Sequence, residues 1–268
     1  MALEFHRVNG IGFGRCLKRV IRTPELSPVE ETYNATVWRV ESMGYLPIFA
    51  FFAGRAFERK SSGLPDIQLN GSDIAGSELM QGSLMRDPLR SLLDAIIIQT
   101  YSAFEVLAEQ ILVAAEAVRP NRTRGGDAGR IHTDGQVRLS NPDNCRSLWG
   151  IQACFSKTFD ARKTDCEAID RALSGRPLAS LSATRNVLTH KGGKVDSKFV
   201  TQTSGIFDSE APKDGDELPI DGRFTEEMVK PTAEAGYQLL EAVDYWLIAN
   251  SSGRSSASAA NRRNVGGG

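Results

Sequence analysis

The feature that most constrains this chain is the run from Pro88 to Val118, PLRSLLDAIIIQTYSAFEVLAEQILVAAEAV. Asp87 is a good helix N-cap, and Pro88 is favoured at the first helical position because its φ is already set and its missing N–H would have no intrahelical partner there. The pattern therefore predicts a helix of about 30 residues, roughly 45 Å long at 1.5 Å per residue, that Arg119-Pro120 brings to a stop. Apolar residues cover most of its circumference, so other elements or a second subunit must surround it. Length and hydropathy also raise the question of a membrane span. Asp94, Gln99, Glu105, Glu109 and Gln110 interrupt the run, and carboxylates at bilayer depth are costly. The expectation is a buried helix in a protein without a membrane segment.

The segments on either side differ in texture. Residues 1–86 carry glycines, prolines and short apolar runs such as TVWRV and YLPIFAFFAG, separated by SSGLPD and LNGSD. They read as an irregular or small β extension. After the long helix, residues 120–143 are rich in glycine and polar groups and include Arg122, Arg124 and Arg130. Such a basic loop is either simply solvated or in contact with phosphates. Helices are expected at about 144–158 and at about 164–174, the second opened by a capping box of Thr164 and Glu167. Pro177 opens a further helix that should stop at Gly192-Gly193. A last amphipathic helix is expected from about 225 to 249, with Pro231 bending it or delaying its start. The small, polar tail 251–268 is expected to be disordered. The fold class is thus mostly α, a helical domain of residues 87–250 between an extension and a tail.

Composition excludes more than it assigns. A formal net charge of −1 over 268 residues gives no overall attraction to nucleic acid or to a membrane surface, so a polyanion would have to meet a local patch. Cys16, Cys145, Cys154 and Cys166 form no CxxC pair. With no secretory pattern at the start they read as reduced thiols of a cytosolic protein. The three histidines, His6, His132 and His190, are too dispersed for a multi-histidine metal centre, although an all-carboxylate site stays open. GIGFGR at Gly10–Arg15 lacks the spacing of a dinucleotide fingerprint, and neither a GxSxG elbow nor a Walker loop is present. No cofactor or metal is expected.

Candidate chemistry concentrates in SATRNVLTHKGGKVD, residues Ser182 to Asp196. At about 100° per residue, Asn186 and His190 share a helix face, whereas Arg185 and His190 stand about 140° apart. One helix does not aim Arg185 and His190 at one point. Arginine's reach, a frayed end at Gly192 or a partner helix across a two-fold axis can bring them to one phosphate. Imidazole, titrating near ~6.5, can take the proton of a ribose 2′-hydroxyl, while guanidinium holds the phosphate and a neutral amide adds a hydrogen bond. None of this requires a metal. The competing reading is purely structural, with His190 favoured at a helix C-terminus by the macrodipole and Arg185 and Asn186 solvated.

The stretch Arg185-Asn186 with His190 resembles the Arg-polar-x(3 to 5)-His motif of the HEPN superfamily, and Gly193-Lys194-Val195-Asp196 continues as in bacterial HEPN-like proteins. AFEVLAEQ, with Tyr101, Ser102 and Glu105, is similar to the family's first long helix, where an acidic residue often faces the site. DELPIDG and the helix after it are similar to its closing element. The resemblance covers the layout of residues 88–249 and leaves the extension and the arginine loop outside. It implies a four- to five-helix bundle that dimerises, lines one cleft with two Arg/His pairs and cuts RNA without metal in defence or toxin–antitoxin settings. Arg185, Asn186 and His190 would be catalytic, with Tyr101 and Glu105 in support and an antitoxin or defence protein as a further partner. Other members have lost the motif and bind RNA, nucleotides or proteins without cleaving.

Overall fold

Helix α1 (Ser27–Ser62), entered through a 3₁₀ turn at Pro24–Leu26, occupies a region whose sequence reads as irregular or β. The computed structural model describes residues 21–62, 83–118, 147–159, 166–205 and 211–263. Within them α1 is followed by α2 (Ser83–Val118), α3 (Leu148–Thr158), α4 (Glu167–Leu173), α5 (Arg176–Lys191), α6 (Ser197–Gln202) and α7 (Gly222–Arg263). No strand occurs among the described residues; Lys194 and Glu217 form an isolated antiparallel bridge. The architecture is mostly α.

The β expectation fails over residues 27–62 for an identifiable reason. Val29, Tyr33, Val37 and Val40 are all buried, and their spacings of four, four and three are those of one helix face. Thr36, Val37 and Trp38 favour strands as isolated residues, and Gly44, Pro47 and Gly54 read as punctuation. Burial of the 3.6-residue stripe overrides both, and Trp38 on the opposite side is 67% exposed. Residues 63–82 lie outside the described residues.

Other boundaries move by a turn or more. Helix α2 begins at Ser83, so Asp87 and Pro88 lie inside its first turns, as does the expected domain boundary at 86/87. Its end at Val118 is where Arg119-Pro120 predicts it. Of the window Arg90–Val118, which is long and apolar enough to cross a membrane, 56% is buried inside the protein. Helix α3 starts at Leu148, capped by Ser147, whose side chain accepts the Gly150 N–H at 3.1 Å. Cys166 occupies the cap position of α4 without a side-chain cap bond, and Thr164, the expected cap, lies outside the described residues. Helix α7 continues to Arg263 through the stretch expected to be disordered from residue 251. Ala257, Ala259 and Ala260 are strong helix formers, and no proline interrupts the helix after Pro231.

The chain divides into two compact units, each assembled from separated stretches. Of the described residues, the first takes 34–62, 83–103, 176–205 and 211–233. Its core joins Val40 of α1 and Leu93, Ile96, Ile97 and Tyr101 of α2 to residues of α5, α6 and α7, including Leu181, Val187, Phe199, Phe224 and Met228. Each such side chain removed from water contributes about 1.5–3 kcal/mol.

Of the described residues, the second unit takes 21–33, 104–118, 147–159, 166–175 and 234–263. Phe155 stacks on Phe159 at 5.3 Å between centroids, and Trp246 meets Phe159 edge-on at 5.1 Å. Tyr33 and Tyr237 make a second edge contact at 5.1 Å. The carboxylate of Asp244, buried on α7, accepts the backbone N–H of Thr23 at 2.7 Å and that of Arg22 at 3.1 Å. These donors precede the 3₁₀ turn, so a negative charge is held where chain entry into α1 leaves N–H groups unpaired.

Two stability predictions follow from these contacts. Asp244→Ala strands two donors and is expected to cost about 2–4 kcal/mol, read as a lower urea midpoint with an unchanged slope. Gly236→Ala places a methyl group on the Tyr33 hydroxyl and ring, and is expected to cost about 1–3 kcal/mol, seen as a lower thermal midpoint that Tyr33→Leu in the same chain partly restores.

Candidate functional site

Helix α5 ends as its sequence predicts. Gly192 and Gly193 adopt φ of 60° and 83°, a region that side-chain-bearing residues rarely enter. The Gly193 N–H turns back to the Val187 carbonyl at 3.2 Å. Beyond it the chain forms a short clip. Val195 N–H donates to the Asp216 carbonyl at 2.8 Å, Gly215 N–H to Val195 at 2.9 Å, and Leu218 N–H to Gly193 at 2.9 Å. Asp196 caps α6 through the Phe199 N–H at 2.8 Å, and Asp221 caps α7 through the Phe224 N–H at 2.7 Å.

Arg90 of α2 fastens this clip. Its Nη2 donates to the Leu218 carbonyl at 3.0 Å, and a Cβ on Gly193 would lie 3.6 Å from the same nitrogen. The accompanying ion pair with Glu217 is 3.8 Å long and the Glu217 side chain is 73% exposed, so it adds little. At the other end of the seam the Ser182 hydroxyl donates to the Tyr101 hydroxyl at 3.2 Å. Arg90 precedes Tyr101 by eleven residues and Gly193 follows Ser182 by eleven, so α2 and α5 run antiparallel in one register. Asp94 comes level with Thr189 in that register, one residue before His190.

Arg185 and Asn186 meet in this seam. Arg185 Nη1 donates to Asn186 Oδ1 at 3.2 Å, and the guanidinium carbon stands 5.6 Å from the Tyr101 ring centroid, within cation–π range. Tyr101 is 1% exposed; Arg185 and Asn186 are half-buried. Arg185 Nε is buried and finds no acceptor among the described residues, and Thr184 Oγ1 beside it is likewise unpaired. His190 is exposed in the last turn of α5. Among the described residues no hydrogen bond or ion pair joins it to Arg185, in keeping with their angular separation. The structure thus brings Arg185, Asn186 and Tyr101 together and leaves His190 facing outward, one turn beyond Asn186.

Glu105 lies on α2, half-buried, within the other compact unit. Arg122, Arg124 and Arg130 lie outside the described residues, as do His6, His132, Cys16 and Cys145. Cys166 is buried, its thiol bonded to the Phe159 carbonyl. Among the described residues no group of three or more His, Cys, Asp or Glu is placed to hold a metal ion.

Three residues of the seam are absent from the sequence reading of the site, namely Arg90, Asp94 and Ser182. A signal for two of them exists. Arg90, Asp94 and Tyr101 stand at spacings of four and seven, along one face of the helix. Asp94 is the costliest member. Desolvation by burial raises its carboxyl above the ordinary aspartate range while Arg90, one turn earlier, pulls it down, and its Oδ1 is buried without a hydrogen-bond partner.

The sign of the stability effect is fixed by that shift. A carboxyl raised in the folded state favours folding while protonated, below about pH 4, and that contribution is lost as pH rises through the raised folded value. Asp94→Asn, permanently neutral, is expected to be more stable than the parent at pH 7 and indistinguishable from it near pH 3, measured by urea unfolding at the two pH values. Compared with protein-family models, with curated proteins and with solved structures, the chain matches none.

Proposed function

We propose that the chain is a metal-independent endoribonuclease of the HEPN kind that works as a homodimer. The observation that carries this reading is a half-buried guanidinium, Arg185, held by Asn186 and carrying a buried unpaired donor, on the helix whose last turn exposes His190. A fixed cation with unmet donors suits a phosphodiester, and an exposed imidazole nearby suits proton transfer.

In this reading His190 takes the proton of a ribose 2′-hydroxyl and the 2′-oxygen attacks the adjacent phosphorus. The 5′-oxygen of the next nucleotide leaves with a proton, giving a 2′,3′-cyclic phosphate and a 5′-hydroxyl end. Arg185 neutralises the charge that gathers on the non-bridging oxygens, and Asn186 adds a neutral hydrogen bond. Because Arg185 and His190 point apart on one helix, a second chain across a two-fold axis supplies the opposing pair, so that one histidine serves as base and the other as acid. Tyr101 supports the site, and Arg122, Arg124 and Arg130 contact the RNA backbone. The setting is cytoplasmic, in bacterial defence or a toxin–antitoxin pair, with an antitoxin or defence protein as partner.

The test is incubation of the purified chain with end-labelled total RNA in EDTA. Cleavage leaving 2′,3′-cyclic phosphate ends is expected, falling about 10²-fold or more in His190→Ala and in Arg185→Lys, which cannot form the planar fork. Cleavage undiminished in His190→Ala overturns the assignment. RNA bound equally by parent and variant without cleavage replaces it with the non-catalytic binding module that the same motif also accompanies.

A further inference from the structure

Arg185 presents two edges and a face, and two of the three are occupied. Nη1 is engaged by Asn186 Oδ1 at 3.2 Å, and the guanidinium carbon lies 5.6 Å from the centroid of Tyr101. On the remaining edge, that of Nε with Nη2, the buried Nε has no acceptor among the described residues. A buried donor left without an acceptor costs about 1–3 kcal/mol, and few such groups persist in folded proteins. That edge is also the one that meets two oxygens of a phosphate side-on.

Tyr101 sets the direction of this edge. Its ring is 1% exposed in the core formed with Leu181 and Val187, and its hydroxyl accepts the Ser182 hydroxyl at 3.2 Å. Ser182 stands one turn before Arg185 and Asn186 on α5, so the ring is tied to the helix that carries the guanidinium it underlies. A long, flexible arginine held this way loses little further side-chain freedom on meeting an anion.

We infer that Tyr101 is a positioning residue, fixing the Arg185 guanidinium so that its Nε–Nη2 edge, whose buried Nε has no acceptor among the described residues, is held for the paired non-bridging oxygens of an RNA phosphodiester. The inference rests on the ribonuclease reading for its ligand but makes a separate claim about binding. It concerns a residue that touches Arg185 rather than the reacting atoms.

The experiment follows the Arg185 Nε–H resonance, assigned by its loss in Arg185→Lys, and the affinity for a 2′-O-methyl RNA oligonucleotide, which cannot be cleaved by 2′-oxygen attack. In the parent, the resonance is expected to shift downfield on adding the oligonucleotide. In Tyr101→Leu it should move to the position of an unstacked arginine, with affinity about tenfold weaker. Tyr101→Phe, which keeps the ring but loses the Ser182 hydrogen bond, should keep the stacked resonance position and bind with an affinity between those of the parent and Tyr101→Leu. Pentafluorophenylalanine at position 101 keeps ring size and inverts the charge of its face, and should weaken binding as leucine does; this arm stands even if Tyr101→Leu fails to fold. An Nε–H signal that the oligonucleotide leaves unmoved, or a fluorinated ring that binds RNA as the parent does, overturns the inference. Absence of cleavage of unmodified RNA by the parent overturns the ribonuclease reading alone, and the resonance and affinity still decide the role of Tyr101.

Discussion

The antiparallel seating of α5 on α2 is the constraint on which the candidate site depends. It is pinned at one end by the Ser182–Tyr101 hydroxyl pair and at the other by Arg90, which reaches the Leu218 carbonyl beside Gly193. Between the pins the helices bury Ile97 against the core that includes Val187 and Leu181. Apolar packing of this kind is non-directional and tolerates sliding by a turn, whereas the two polar pins do not. Register is therefore set by a few polar groups, and stability by the apolar ones around them. Placing Arg185 over the Tyr101 ring is a consequence of that register, since a shift of one turn would put the guanidinium over Ile97 or Ile98.

The two ends of α5 show how far sequence reasoning reaches. Its C-terminus is legible because Gly192 and Gly193 perform a local task, entering left-handed backbone, that few other residues accept. Helix α2 is legible because its apolar run is long and its stop is a proline. Helix α1 is not, because Gly44, Pro47 and a Thr-Val-Trp cluster give local signals that compete with the stripe of Val29, Tyr33, Val37 and Val40, and only burial decides between them. The same division holds within the site. Arg185 and Asn186 stand side by side in the sequence, and their hydrogen bond is local. Ser182 and Tyr101 are 81 residues apart, so no window of the sequence contains both.

Unsatisfied polar atoms add a second line of reasoning about where chemistry sits. Asp94 Oδ1, Thr184 Oγ1 and Arg185 Nε are buried without hydrogen-bond partners, and all three belong to α2 and α5. Elsewhere in the same unit Asp196 and Asp221 meet helix N-termini and the clip pairs its backbone groups. Within this unit the helix ends are satisfied, and these three side-chain atoms lie unmet along one seam. Such concentrations are expected at functional sites, where a ligand supplies the missing partners.

The orientation of His190 completes this reasoning. On a helix, residues five positions apart point about 140° away from each other, and the structure keeps that separation, with Arg185 turned into the seam and His190 outward. Bringing both to one phosphate by fraying the last turn of α5 would work against the backbone bonds that tie Gly193 to Val187 and Leu218. Those bonds and the Arg90 anchor hold the helix end. A second copy, in the ribonuclease reading, would bring an opposing pair to the phosphate without that fraying. In the ribonuclease reading the rigidity of this helix end is what makes the site composite: each chain offers a preset cation and an outward imidazole, and two-fold pairing, rather than rearrangement within one chain, assembles them.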